Sequence, residues 1–244
     1  MDKQIEELKR LIDSSQSIVF FGGAGVSTES GIPDFRSADG LYSRSTGTRY
    51  SPEQLISHTC YIKHPEMFYK FYRSKMLITD AKPNPAHYAL AELERQGKLK
   101  AVVTQNIDGL HQAAGSRNVF ELHGSVHRNY CTKCRRLYDA EYIRHYPEMI
   151  PKCECGGVLK PDVVLYEESL PAEELHGAIS AISRADMLIV GGTSLVVYPA
   201  AGLLEYFTGD KLVLINKSPT AYDKAAGLII REPIGETLKK AVLI

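Results

Sequence analysis

Ile18-Val19-Phe20-Phe21-Gly22-Gly23-Ala24-Gly25-Val26-Ser27-Thr28 is the stretch on which the fold turns. Four apolar residues, two β-branched and two aromatic, read as a strand buried on both faces. The run ends in a glycine turn, where backbone amides approach a pyrophosphate with no side chain in the way. The same pattern also serves as a plain tight connection between strand and helix. Thr28 stands where a dinucleotide turn usually has its third glycine, and no clean second strand ends in an acidic residue about 20 positions on. An ordinary nicotinamide dehydrogenase is therefore a poor match.

Working outward, Ile5, Leu8, Leu11 and Ile12 fall at helical spacing, which predicts an amphipathic helix over residues 2–14. Further short apolar runs follow at Ala101–Val103, Met187–Val190, Leu212–Ile215 and Leu228–Ile230. Helical patterns separate several of them, at 85–96, 171–184, 198–207 and 234–242. Strands alternating with helices predict an α/β fold with a mostly parallel sheet covered on both faces. Two segments break the rhythm. Residues 41–83, rich in Tyr, Ser, Lys and His, predict inserted helices, and 126–160 predict a small metal module.

The bulk numbers exclude several classes. The chain has 244 residues, 44% hydrophobic and 24% charged, which fits a globular protein with a sizeable core. Lys+Arg and Asp+Glu are both 29, so no basic surplus marks a dedicated nucleic-acid binder. No apolar run approaches the roughly 20 residues that span a bilayer. The opening Met1-Asp2-Lys3-Gln4 lacks the apolar core of a signal peptide, so the expected compartment is the cytoplasm.

Three further stretches carry chemistry. Gly31-Ile32-Pro33-Asp34-Phe35-Arg36 reads either as a surface turn or as a lid, with Phe35 shielding a reacting centre and Arg36 meeting a phosphate. Thr104-Gln105-Asn106-Ile107-Asp108-Gly109 begins where a strand ends, the place where open parallel sheets bind ligands. Its amides and carboxylate suit ribose and carboxamide groups, or a simple helix cap. His123, at the end of Val119–Leu122 and beside Gly124, is the expected general base. His111, in a helix-like run, and His127, leading into the metal module, rank below it.

Four of five cysteines pair up as Cys131-x-x-Cys134 and Cys153-x-Cys155, eighteen residues apart. In a cytosolic chain this spacing predicts a tetrahedral zinc site. Four thiolates leave no open position, so the zinc is expected to be structural. A redox dithiol or an iron–sulfur site is the alternative. Cys60 is expected to be a small buried hydrophobe.

Taken in order, these motifs, with Leu122-His123-Gly124, Gly192-Thr193-Ser194-Leu195-Val196-Val197-Tyr198-Pro199 and Leu214-Ile215-Asn216, resemble the sirtuin family. That family is the silent-information-regulator type of NAD-dependent protein-lysine deacylase, here in its bacterial single-domain form. The resemblance spans residues 23–216. It implies a Rossmann-like NAD-binding domain from 1–40, 84–125 and 161–244, and a smaller domain from the helical insert 41–83 and the zinc module 126–160. It implies an NAD site lined by Ala24, Thr28, Phe35, Arg36, Gln105, His123, Thr193, Ser194, Asn216 and Ile234. Ile107 and Asp108 would hold the nicotinamide carboxamide and Asn106 would order the ribose and a water. Val163, Leu165 and Tyr166 on one side, with Leu195–Val197 on the other, would clamp an acetyl-lysine peptide as an added strand.

The implied reaction moves the acetyl group of acetyl-lysine to ADP-ribose and releases nicotinamide, O-acetyl-ADP-ribose and free lysine. His123, Asn106 and Asp108 are the implied catalytic residues. NAD is consumed, one zinc is structural, and neither a membrane nor a specific nucleic-acid sequence is an expected partner. Two departures stand out. Tyr166-Glu167-Glu168 replaces the family's Phe-Gly-Glu, and the second cysteine knuckle is short. Members that prefer acidic acyl chains carry a Tyr-x-x-Arg pair on a small-domain helix. Neither Tyr69 (with Tyr72) nor Tyr72 (with Lys75) reproduces it, and Arg73 lies off the shared face. The expected substrate is acetyl-lysine, with poor use of succinyl-lysine. The competing readings are an NAD or ADP-ribose sensor, an ADP-ribosyltransferase and a dehydrogenase.

Overall fold

The computed structural model describes residues 2–34, 40 and 49–244. Phe35 and Arg36 lie outside the described residues. The chain opens with α1 (Asp2–Asp13) and enters β1 (Ile18–Gly22), all five of whose residues are buried. The remaining strands of the large sheet are β2 (Leu99–Thr104), β3 (Val119–Glu121), β7 (Met187–Gly191), β8 (Lys211–Ile215) and β9 (Leu228–Ile230). Their order is β3-β2-β1-β7-β8-β9 and every pairing is parallel.

Period-two alternation splits the apolar runs between two cores. Ile18 and Phe20 face one side with Val102, Ile189 and Val213, packed against α1 and α5 (Pro85–Arg95). Val19 and Phe21 face the other with Val103, Leu188 and Leu214, packed against Ala178 and Ile182 of α8 (Ala172–Ser183). A short α9 (Ile234–Leu238) closes the chain on the first face. The segment predicted as a helix over 198–207 is a 3₁₀ helix at Ala200–Tyr206. It has no capping side chain and contains Gly202, so little holds the wider α-turn there.

A second unit lies beside this sheet. The helical insert supplies α2 (Pro52–Leu55), α3 (His58–Lys63) and α4 (Pro65–Phe71), followed by a π-type turn at Tyr72–Met76. A proline opens α2 and α4, where a missing amide does no harm. An antiparallel sheet of order β5-β4-β6 joins them, built from β4 (Gly124–Cys131), β5 (Leu137–Tyr138) and β6 (Leu159–Val163), with α7 (Ala140–His145) alongside. The core between helices and sheet is aromatic. Phe68 stacks on Tyr72 at 5.7 Å and meets Tyr69 edge-on at 5.1 Å, and the Tyr69 hydroxyl donates to the Leu159 carbonyl. Cys60 is buried in this core, and burial pushes its thiol pKa up.

Candidate active site

The chain leaves β1 in both directions, to β2 on one side and β7 on the other. Loops at that switch point diverge and leave a crevice. A cleft of about 920 Å³ occupies it and continues between the two units. The first turn packs tightly on the loop after β7. The Gly25 amide donates to the Gly192 carbonyl at 2.8 Å, and a Cβ on Gly25 would sit 2.8 Å from Gly192 Cα. No long helix follows. Two 3₁₀ turns, Ala24–Val26 and Thr28–Ser30, end at Gly31 with φ of 82°. Ala24 and Thr28 line the cleft from this side, Thr193 and Ser194 from the loop after β7. Asn216 after β8 and Ile234 at the start of α9 close its far end.

Gln105, Asn106, Ile107 and Asp108 enter from the end of β2 and form a bonded network. Gln105 Nε2 donates to Thr193 Oγ1 at 3.1 Å, tying the loops after β2 and β7 together across β1. Ser27 Oγ donates to Asp108 Oδ2 at 2.7 Å and accepts from Asn106 Nδ2 at 3.1 Å. Asp108 Oδ1 accepts from the Leu110 amide at 3.0 Å and so caps α6 (Leu110–Ala113). Ser27 is thus the hub of the network. Its sequence signal was only a small hydroxyl directly after the glycine turn.

His123 lines the same cleft at the end of β3. Its Nδ1 lies 2.9 Å from the Gln105 carbonyl oxygen. A carbonyl only accepts, so Nδ1 carries the proton and Nε2 keeps a free lone pair. Burial lowers its pKa below the ordinary histidine value, opposed by the Gln105 bond. The ring is therefore a neutral base near pH 7. Gly124 follows with φ of 74°, and a Cβ there would meet the Asp162 carbonyl oxygen at 1.9 Å. Neither rival histidine presents a free ring nitrogen to the cleft, whose lining includes neither of them. His127 Nε2 donates to the Asp108 carbonyl at 2.9 Å, and His111 is 1% exposed.

On the side of the small unit the cleft is walled by Val163, Leu165 and Tyr166. Tyr166 is pinned to the helical insert. Its amide donates to the Ile56 carbonyl at 3.1 Å, and its carbonyl accepts from the His58 amide at 2.9 Å. Glu167 adopts φ of 76°, so the left-handed turn persists without glycine. Its carboxylate accepts from the Thr59 amide at 2.8 Å, a local bond that helps offset the strain. Across the cleft stands Val197, while Leu195 turns into the large core and Val196 is exposed. Ile56, Lys75, Met76 and Ile78 of the helical insert also line the cleft. Of these the sequence had marked only Lys75, as the partner of Tyr72, because an insert's register against a distant strand has no local signature.

Cys131, Cys134, Cys153 and Cys155 converge, with all four sulfurs within 4.8 Å of one another. A zinc tetrahedron with bonds of about 2.3 Å has edges of about 3.8 Å. The separations of 3.4 Å between Cys131 and Cys155, and 3.6 Å between Cys134 and Cys153, fit that figure. The donor set is prepared for a cation. The amides of Lys133 and Cys134 point at Cys131 Sγ, and the Cys134 amide leads in lowering its pKa to about 6. Tyr138 Oη donates to Cys153 Sγ at 3.0 Å. With four sulfurs engaged, the metal would close the β4–β5 knuckle on the loop before β6 and leave no position for substrate.

A Rossmann-like sheet and a four-sulfur module thus enclose a cleft lined by a largely buried histidine. The profile described as the Sir2 family matches residues 23–199, and the chain belongs to that family. It is 61% identical over 243 residues to an NAD-dependent protein deacetylase of Clostridium acetobutylicum, covering 99% of each chain. To the protein of the same description from Clostridium perfringens it is 59% identical, over 99% of this chain and all of the other. Among solved structures it is similar to a Sir2 bound to acetylated peptide, with a TM-score of 0.86 and 39% identity over 97% of this chain and 96% of the other. A Sir2–p53 peptide–NAD⁺ complex gives 0.85 at 40% identity over the same shares.

Proposed function

We propose that this chain is an NAD-dependent protein-lysine deacetylase. Acetyl-lysine, NAD and one water yield nicotinamide, O-acetyl-ADP-ribose and free lysine. The observation that carries this reading is His123. Its tautomer is fixed by the Gln105 carbonyl, and its lone pair faces a cleft shared by the dinucleotide turn and the wall of Val163 and Leu165.

In this reading Ile107 and Asp108 hold the carboxamide, and the Ser27 hub keeps the Asp108 carboxylate in place. Asn106 orders the ribose and a water. Ala24, Thr28, Gln105, Thr193, Ser194, Asn216 and Ile234 line the dinucleotide path, to which Phe35 and Arg36 are assigned by motif alone. The acetyl oxygen takes C1′ as the bond to nicotinamide breaks. His123 Nε2 then takes the proton from a ribose hydroxyl, whose oxygen attacks the acyl carbon; the lysine amine leaves, and the ordered water adds to that carbon to give the acetyl ester. The peptide lies extended between Val163–Tyr166 and the 195–197 loop, held through backbone bonds.

In this reading 41–83 and 126–160 form the domain around zinc and 1–40, 84–125 and 161–244 the NAD-binding one, with the start of β4 (Gly124), the end of β6 (Val163) and the run on to Tyr166 packing onto the zinc-bearing side of that division. Clustered free thiols suit a reducing compartment, which supports a cytoplasmic location. Among the described residues no helix is long and apolar enough to cross a membrane.

Incubation with an acetyl-lysine peptide, with and without NAD, followed by mass spectrometry, tests the reading. NAD-dependent loss of acetyl with matching O-acetyl-ADP-ribose is expected. Acetate release without NAD would overturn it. So would ADP-ribosylated protein beside intact acetyl-lysine.

A further inference from the structure

Behind the Asp108 loop lies a pair of histidines that the reaction does not use. His87 on α5 is fully buried and His111 on α6 is 1% exposed, with ring centroids 4.7 Å apart and the rings edge to face. The Asn84 amide donates to His87 Nδ1 at 3.2 Å. That nitrogen must therefore hold the lone pair, and the ring is neutral with its proton on Nε2. His87 Nε2 and both ring nitrogens of His111 have no partner among the described protein groups. Burying polar atoms in that way lowers stability, and a packing role alone would be met by phenylalanine.

The pair closes a circuit around the cleft. Asn84, which caps α5, donates through Nδ2 to the Val26 carbonyl at 2.7 Å and to Ser30 Oγ at 3.0 Å. Ser27, in the same turn, holds Asp108 Oδ2, and Asp108 Oδ1 caps the helix that carries His111. His111 then meets His87, which bonds back to Asn84. The glycine turn and the Asp108 loop are thus braced from the front by Ser27 and from behind by the imidazoles. The Asp108 carboxylate also acts on His87 as a nearby negative charge.

We propose that His87 and His111 are positioning residues for Asp108, setting its distance from the glycine turn and so the grip on the nicotinamide end of NAD. This rests on the reading of Asp108 given above.

Equilibrium binding of NAD and of ADP-ribose, which lacks nicotinamide, tests it on the full chain. His111→Phe keeps a ring of similar size without nitrogens. It is expected to weaken NAD about tenfold, since displacements near 1 Å have large effects, while ADP-ribose stays within about twofold. His111→Gln, which restores a donor and an acceptor, should recover most of the loss. NAD affinity within about twofold of the parent would overturn the proposal, as would equal weakening of both ligands. Should His111→Phe fail to fold, His87→Phe carries the same test, with His87→Gln, which still accepts the Asn84 amide, as its rescue. Asp108→Asn separates the two levels. If it leaves NAD binding unchanged, the reading of Asp108 fails; if it alone weakens NAD, only the histidine proposal fails.

Discussion

The two units of the molecule are stabilised by different means. In the large sheet every residue of β1 and β7 is buried, every ladder is parallel with one register shift, between Ile18 and Val19 against β2, and helices cover both faces. Apolar area alone sustains such a core. The small sheet has three strands, one only two residues long, and the β4–β6 ladder shifts register between Ser125 and Asn129. Its core mixes aromatic rings with three buried cysteines, Cys60, Cys131 and Cys153. In the proposed reading the groups that grip the cofactor thus follow the strands of the large sheet, and the wall that meets the substrate sits on the unit that carries the four cysteines.

Withdrawing zinc should break that contrast most sharply. Apparent binding energies of structural zinc run to about 10–16 kcal/mol in zinc-finger peptides. Cys131→Ser or a strong chelator should therefore unfold the small unit and abolish deacetylation, while amides of β1 and β7 stay protected from hydrogen exchange. Full activity in chelator, with no metal found by elemental analysis, would contradict the division.

A smaller loss is expected from the large sheet's own chemistry. His123→Ala should lower kcat by about 10²–10⁴, with NAD affinity kept within a few fold. Retention of more than about a tenth of kcat would place the base elsewhere.

Acyl selectivity probes the substrate wall. Tyr69 and Tyr72 are fully buried in the aromatic core, and Arg73 donates to the carbonyls of Arg144, Tyr146 and Glu148. Neither tyrosine is available to grip a distal carboxylate, and the guanidinium is occupied. Acetyl-lysine should exceed succinyl-lysine in kcat/KM by about tenfold or more, because a desolvated carboxylate lacks a partner. A succinyl preference would show that Lys75, which lines the cleft, reaches the acyl end.

The smallest effect concerns acid. Burial lowers the His87 pKa from 6.5 to about 4 and takes His111 well below its usual value. Folding therefore favours the neutral rings. Their contribution to stability is full above pH 6.5 and drains as pH falls toward about 4. Urea midpoints of the parent should fall through that window more steeply than those of His87→Gln. Parallel curves would remove the histidines from the acid response.

The same contrast explains what was legible in the sequence. Strands buried on both faces read as unbroken apolar runs, so β1, β2, β7, β8 and β9 were plain. The residues following them, Gln105 to Asp108, Thr193 and Asn216, inherit their place at the cleft from the strand ends. The four cysteines announced themselves by spacing. Less was readable where geometry depends on distant partners. Within the inserted helices expected over 41–83, α4 gives way after Phe71 to a π-type turn that carries Arg73. The bracing of Tyr166 against Ile56 and His58 joins segments with no shared pattern. Glu167 holds a glycine-like conformation because of the Thr59 amide, a contact that sequence alone does not reveal.

The central place of β1 also governs when the molecule comes into being. Ile18 pairs with Leu99 on one flank and Met187 on the other. A ribosome adding about 5–20 residues per second must make more than half the chain between Ile18 and Met187. The first strand to emerge therefore waits longest for its second neighbour, and long loops must close before its pairing is complete. Gly25 depends on the Gly192 carbonyl for its backbone bond, so the glycine turn cannot set until β7 has docked. Affinity for the dinucleotide arises late in folding, and a nascent or truncated chain ending before Gly192 has no completed turn with which to capture it.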